Sequence, residues 1–156
     1  MTPKARWNAL AHRMIGDTAS LEGLLDLVLA LADARDEDAF HRLLKVYPRL
    51  GFPERVDLLA TLRHPSDGTP QHVATWLKKL ISMRNRLAHA WIVDASPQKA
   101  LFSSIYKGRR QDLLVFDVEM ARAFRMIRES RRSLQAMADQ VGDTDLWGHL
   151  MGFDAQ

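Results

Sequence analysis

The stretch "TPQHVATWLKKLISMRNRLAHAW", Thr69 to Trp91, decides how the rest of the chain is read. Thr69-Pro70 is a helix-start signal, since Pro fits the first turn, where its missing N–H is not needed. At about 100° per residue, Val73, Trp76, Leu77, Leu80, Ile81, Leu87, Ala88 and Trp91 share one arc. Lys78, Lys79, Ser82 and Arg86 fall on the opposite side, toward water. This is the pattern of a long helix with one buried face, running to about Trp91. Arg84 breaks it. The wheel puts Arg84 roughly 80° from Trp76, inside the apolar arc and flanked by Leu77, Leu80 and Trp91. A guanidinium there keeps its proton and has to find a carboxylate, carbonyls or an incoming anion.

Outward from this helix the punctuation is clear. Thr2-Pro3 starts a first helix, with Gly16 near its stop. A second fits "TASLEGLLDLVLALADAR", where Leu21, Leu24, Leu25, Val28 and Ala32 share a face. A third runs from about Asp36 to before Pro48, and a fourth from Pro53 to Pro65, with "SDGTP" as the turn that follows. Beyond Trp91 the period changes. "WIVDASP", "ALFSSIYKGRR" and "DLLVFD" are rich in β-branched and aromatic residues, and Pro or Gly breaks separate them. They predict a small β-hairpin or meander over about 91–117. Asp117 then caps a last long helix ending near Gly142, on which Met120, Phe124, Ile127, Leu134 and Met137 form a packing stripe. The tail 143–156 has apolar residues enough to dock. The expected architecture is mainly α: one helical-bundle domain over 1–142 with a β insertion before the last helix, and the tail packed on it.

Composition bounds the chemistry. The chain has 156 residues, 47% of them hydrophobic and 26% charged, values typical of a soluble globular domain. It has no cysteine, so disulfides and thiolate metal sites are excluded and a reducing compartment is the natural expectation. "LEGLLDLVLALA" is interrupted by Glu22 and Asp26 and is too short to span a bilayer. "MTPKARWNAL" lacks the apolar core of a signal peptide. These features together lead us to expect a cytoplasmic protein with no membrane segment. The net charge of +3 permits an anionic partner. No His-Glu-x-x-His motif, Walker loop or Gly-x-Gly-x-x-Gly occurs, so no metal or cofactor is expected. His12, His41, His64, His72 and His149 are scattered.

The chemistry collects around Arg84. Asn85 and His89 are four apart and stack on one side of the helix. Arg84 and His89 lie about 140° apart around the axis, so they flank a ligand at the helix end rather than pairing along one face. Together they offer an anion clamp, an orienting amide and a group that exchanges protons near neutral pH. The same residues are compatible with a structural ion pair at Arg84 and a His89 that caps the last carbonyls.

"RNRLAH", Arg84 to His89, resembles the signature of HEPN domains, the higher-eukaryote and prokaryote nucleotide-binding family. That signature is an Arg, four to six residues, then a His, near the end of a long helix in a helical bundle. Asn85 directly after the Arg and the small Ala88 strengthen the likeness, whereas Ala90 stands where many members carry glycine. Arg6…His12 and Arg35…His41 share the bare spacing without that context. The resemblance implies a metal-independent RNA endonuclease working as a homodimer, possible membership of a toxin–antitoxin or defence system, and an antitoxin or operon partner. It assigns His89 to proton transfer, Arg84 to the phosphate and Asn85 to orientation, with 2′,3′-cyclic phosphate products. Arg86 and the hairpin-tip residues Lys107, Arg109 and Arg110 are the candidate RNA contacts. Arg122, Arg125 and Arg132 of the last helix are basic residues that either hold RNA backbone or face water. The alternatives are a non-catalytic HEPN-like module binding RNA, nucleotide or protein, and a DNA-binding regulator. The second is weakened by the loose turn in "RVDLLATLRHPSDGTPQHV".

Overall fold

The computed structural model describes residues 1–62 and 69–142. Among them the order is α1 (Pro3–Asp33), α2 (Glu37–Val46), α3 (Phe52–Thr61), α4 (Thr69–Ala88), β1 (Trp91–Ala95), β2 (Lys99–Tyr106), β3 (Arg109–Phe116) and α5 (Asp117–Gly142), with a short 3₁₀ turn at Tyr47–Arg49 after α2. The mainly helical class and the small antiparallel sheet before the last helix are as the sequence indicates. The helix expected to close at Pro65 ends sooner, at Thr61, with Leu62 extended; the "SDGTP" turn up to Thr69 and the docked tail lie outside the described residues. The described residues form two compact units: Met1–Ser20 with Lys79–Arg128, and those from Leu21 to Lys78 with those from Glu129 to Gly142. No described helix is long and apolar enough to cross a membrane.

The expected stop at Gly16 is corrected. α1 is one helix of 31 residues. Trp7, Ala11, Met14, Thr18, Leu21, Leu25 and Val28 are all buried, a run of alternating four- and three-residue steps that passes Gly16 without losing phase. A lone glycine lowers helix stability by only about 1 kcal/mol, too little to interrupt such a stripe. Thr18, read as the start of a second helix, instead donates its hydroxyl back to the Met14 carbonyl at 2.8 Å. Ala32, placed on the second helix's buried face, is exposed.

Other boundaries follow their caps. Thr2 Oγ1 accepts from the Ala5 amide at 3.3 Å, and Asp36 accepts from the Ala39 amide at 2.7 Å. Asp117 departs from expectation. Its carboxylate takes Arg6 Nη2 at 2.7 Å, while Glu119 reaches back to the Phe116 amide at 2.9 Å. The capping residue is therefore Phe116, one position earlier, closed by a glutamate three residues on. Arg6 Nη1 also donates to the Pro97 carbonyl, and buried Trp7 donates Nε1 to the Ser96 carbonyl, both at 2.7 Å. These bonds tie the first turns of α1 to the β1–β2 turn.

In the second unit the dominant polar feature is a buried ion triad. Arg55 on α3 is 5% exposed and donates to Asp26 at 2.6 Å and Glu22 at 2.9 Å, both on α1. Glu22 and Asp26, one turn apart, form a two-carboxylate notch in the most apolar stretch of the chain, and Arg55 fills it. Tyr47 is also buried there and donates its hydroxyl to Asp33. Burial first, then that hydrogen bond and the Asp33 charge, raise the phenol well above its usual range.

Removing Arg55 leaves the Asp26 carboxylate buried without its main counter-charge and Glu22 half-buried beside it. Arg55→Met is expected to destabilise by about 3 kcal/mol or more in urea denaturation, and adding Asp26→Leu is expected to restore part of the loss. Gly16 is exposed and helical, and an added Cβ meets nothing within 4 Å. Gly16→Ala is therefore expected to stabilise by about 0.5–1 kcal/mol, whereas a helix boundary at that position would make it destabilising.

Candidate functional site

α4 keeps the predicted stripe but stops sooner. Val73, Leu77, Leu80, Ile81 and Leu87 are buried. The helix ends at Ala88, and the Ala90 amide closes it on the Leu87 carbonyl at 3.1 Å. Trp91, expected on the helix, opens β1 opposite Ser103 and is 47% exposed. Ala88 is likewise exposed, and Trp76 is half-buried. The correction has a simple cause: Trp91, Ile92 and Val93 suit a strand, and β2 offers a ladder to pair with. Arg84 does lie on the buried stripe, between Leu80 and Leu87. It is half-buried, with its Nε shielded from solvent.

The same helix end bounds a cleft of 460 Å³, lined on one side by Asn85, Arg86, His89 and Ala90. Its other wall is the ribbon of β2 and β3 beyond Ser103, where Ser104, Ile105, Tyr106, Gln111, Asp112 and Leu113 contribute. Register sorts these residues by face. Ser104 is opposite Gln111, Phe102 opposite Leu113 and Tyr106 opposite Arg109, so these share one face. Ile105 and Arg110 pair on the other face, as do Ser103 and Asp112. The side chains facing α4 are therefore those of Ser104, Tyr106, Gln111, Leu113 and Arg109. Asp112 borders the cleft but turns its carboxylate away, onto Ser103 Oγ at 2.6 Å and Arg110 Nε at 2.9 Å.

This arrangement separates residues that the sequence grouped. Asn85, Arg86 and His89 open on one cleft and are exposed; Arg84 is not part of its lining. Lys107 and Gly108 alone form the hairpin turn, with φ of 49° and 73°, the double positive geometry of a tight type I′ connection. Arg109 and Arg110, expected at the tip, are ladder residues of β3 on opposite faces. Arg110 is held by Asp112, whereas Arg109 lies beside Tyr106 on the cleft face. Lys107 Nζ sits 5.5 Å from the Tyr106 ring centre. A second hollow of 300 Å³ shares Arg86 and Leu113 with the cleft and continues along α4 to Lys79.

Tyr106 and Gln111 carry no sequence signal for a site, because only the strand register reveals that they face the helix end. Of the other Arg–His spacings, Arg6 is engaged by Asp117 and Pro97, and His41 lies 3.6 Å from Glu37 on its own helix. Arg122, Arg125 and Arg132 on α5 are exposed. Among the described residues, no group of three His, Cys, Asp or Glu side chains is placed to hold a metal ion. No family model matches the chain, and no curated protein or solved structure is significantly similar to it.

The Ser103 hydroxyl first, and the Arg110 guanidinium next, hold the Asp112 carboxyl below its ordinary range. A depressed carboxyl contributes stability that is present above its unfolded value and fades as pH falls through the lower folded value. In a ¹³C carboxyl titration Asp112 is expected to protonate below 3.8, and Ser103→Ala is expected to raise its midpoint. A midpoint unmoved by that substitution would show that Ser103 is not the main cause.

Proposed function

We propose that this chain is a metal-independent RNA endonuclease of HEPN type, acting through the ribose 2′-hydroxyl at a site composed in a homodimer. The observation that carries the reading is the end of α4. There His89 and Asn85, stacked one turn apart, open on a cleft lined by Arg86, with Arg109 on the same face of the ribbon. The lining carries one arginine, two amides and an aromatic ring, and its one bordering carboxylate is bonded to Ser103 and Arg110. That combination suits a phosphodiester chain better than an acidic or purely apolar ligand.

The reaction needs a base for the 2′-hydroxyl proton, an acid for the departing 5′-oxygen and positive charge at the phosphorane. His89 is the proton-transfer group. A two-fold pair supplies the second histidine, so that one imidazole removes the proton while its mate donates to the leaving oxygen. Arg84 stabilises the developing charge, and Asn85 orients His89 or the ribose. The bond from 2′-oxygen to phosphorus forms as the bond to the 5′-oxygen breaks, leaving a 2′,3′-cyclic phosphate and a 5′-hydroxyl. A second reading is favoured by the position of Arg84 outside the cleft of its own protomer: a HEPN-like module that binds RNA in this cleft without cutting it. An antitoxin or operon partner belongs to either reading as a regulator.

Incubation of the protein with a mixed RNA ladder in EDTA is expected to give fragments ending in cyclic phosphate. His89→Ala and Arg84→Ala are each expected to lower the rate by at least about a hundredfold, the scale of a lost acid–base group for the first and of a lost charge-stabilising donor for the second. The melting profile and dimer mass should remain unchanged. Undiminished cutting by the double variant would remove the catalytic assignment, and RNA binding without any cutting by the wild type would establish the second reading.

A further inference from the structure

We propose that the cleft beside His89 contains a seat for a single unpaired nucleobase, with Tyr106 as its stacking platform and the carboxamides of Asn85 and Gln111 as its edge readers. The inference rests on the RNA reading above but concerns recognition rather than cleavage. Tyr106 is 57% exposed, and the β2–β3 register turns it to the same face as Gln111, which lies opposite Ser104, two residues before Tyr106 on β2. Asn85 faces the cleft from α4, one turn before His89. The aromatic ring therefore lies on one wall, with an amide on each wall.

Each of these groups has a distinct task. A base has two π faces and an edge of donors and acceptors, and an exposed tyrosine ring offers stacking to any base. A carboxamide presents one donor and one acceptor side by side, which matches the paired donor and acceptor on a base edge. Ala90 on one wall and Leu113 on the other add apolar contact. The Lys107 ammonium, 5.5 Å from the Tyr106 ring centre, is placed to meet the phosphate of the same nucleotide while keeping one ring face covered. Arg109, paired with Tyr106 in the ladder, supplies a second cation at that end. The 460 Å³ volume falls in the range of about 300–1,000 Å³ typical of small-ligand sites, enough for one nucleotide.

The test uses the full chain carrying His89→Ala, so that binding is read without cleavage. Its probes are a fluorescein-labelled ten-nucleotide single-stranded RNA of mixed sequence and an abasic strand of the same length. In fluorescence anisotropy, Tyr106→Ala is expected to weaken binding to the RNA about tenfold, the scale of one lost stacking contact, while Tyr106→Phe keeps it. The abasic strand is expected to bind as weakly as the RNA binds the alanine variant, and to be indifferent to that substitution. Equal binding of both strands, an unaffected alanine variant, or no RNA binding at all would overturn the seat. The two proposals separate cleanly. Tyr106-dependent binding in a protein that never cuts RNA sinks the nuclease and leaves the seat. His89-dependent cutting with RNA affinity insensitive to Tyr106→Ala does the reverse.

Discussion

The change of period at Ala90 governs the first unit. Up to Leu87 the chain repeats every 3.6 residues and buries one stripe; from Trp91 it repeats every two and joins a ladder. The Ala90 amide closes the helix on Leu87, and the next residue is already opposite Ser103. No linker intervenes, so the last helical turn has little freedom relative to the sheet it enters. That constraint holds Asn85, Arg86 and His89 over the β2–β3 ribbon and makes a cleft from two surfaces that separately would be unremarkable. A longer connection would leave the same side chains on a loose helix end.

The sequence makes much of this legible because the relevant signals are local. Caps at Thr2 and Asp36, the β-branched runs after Trp91 and the misplaced Arg84 each follow from a residue and its near neighbours. What stays hidden depends on distant partners. Arg55 looks like a surface residue until α1 brings Glu22 and Asp26 to it. Thr18 reads equally well as a cap or as a mid-helix hydroxyl, and burial of its helix face decides between them. Asp117 is a good cap by type, but Arg6 takes its carboxylate. For the site, α4 supplies residues that a motif can find. Tyr106 and Gln111 require the register, which no single stretch of sequence encodes.

Charge is distributed by the same logic. The two arginines after the turn are adjacent in sequence yet serve different faces. Arg110 is neutralised by Asp112 on the face that also exposes Trp91, Leu114 and Phe116. Arg109 remains on the side of the cleft. An ion pair this exposed adds little stability. Its larger effect is to keep a carboxylate and a guanidinium together on the face away from His89.

The tight turn at Lys107-Gly108 thereby acts as a parity setting. Because neighbouring strand residues point to opposite sides, a single-residue insertion or deletion there would carry Asp112 toward His89 and Arg109 away from it. Arg110 would travel with Asp112, so the strand would then present a neutral ion pair to the cleft in place of a lone cation, without any change in amino-acid composition near it. Length at this one hairpin is thus as strict a determinant of what the surface attracts as the identity of any side chain lining it.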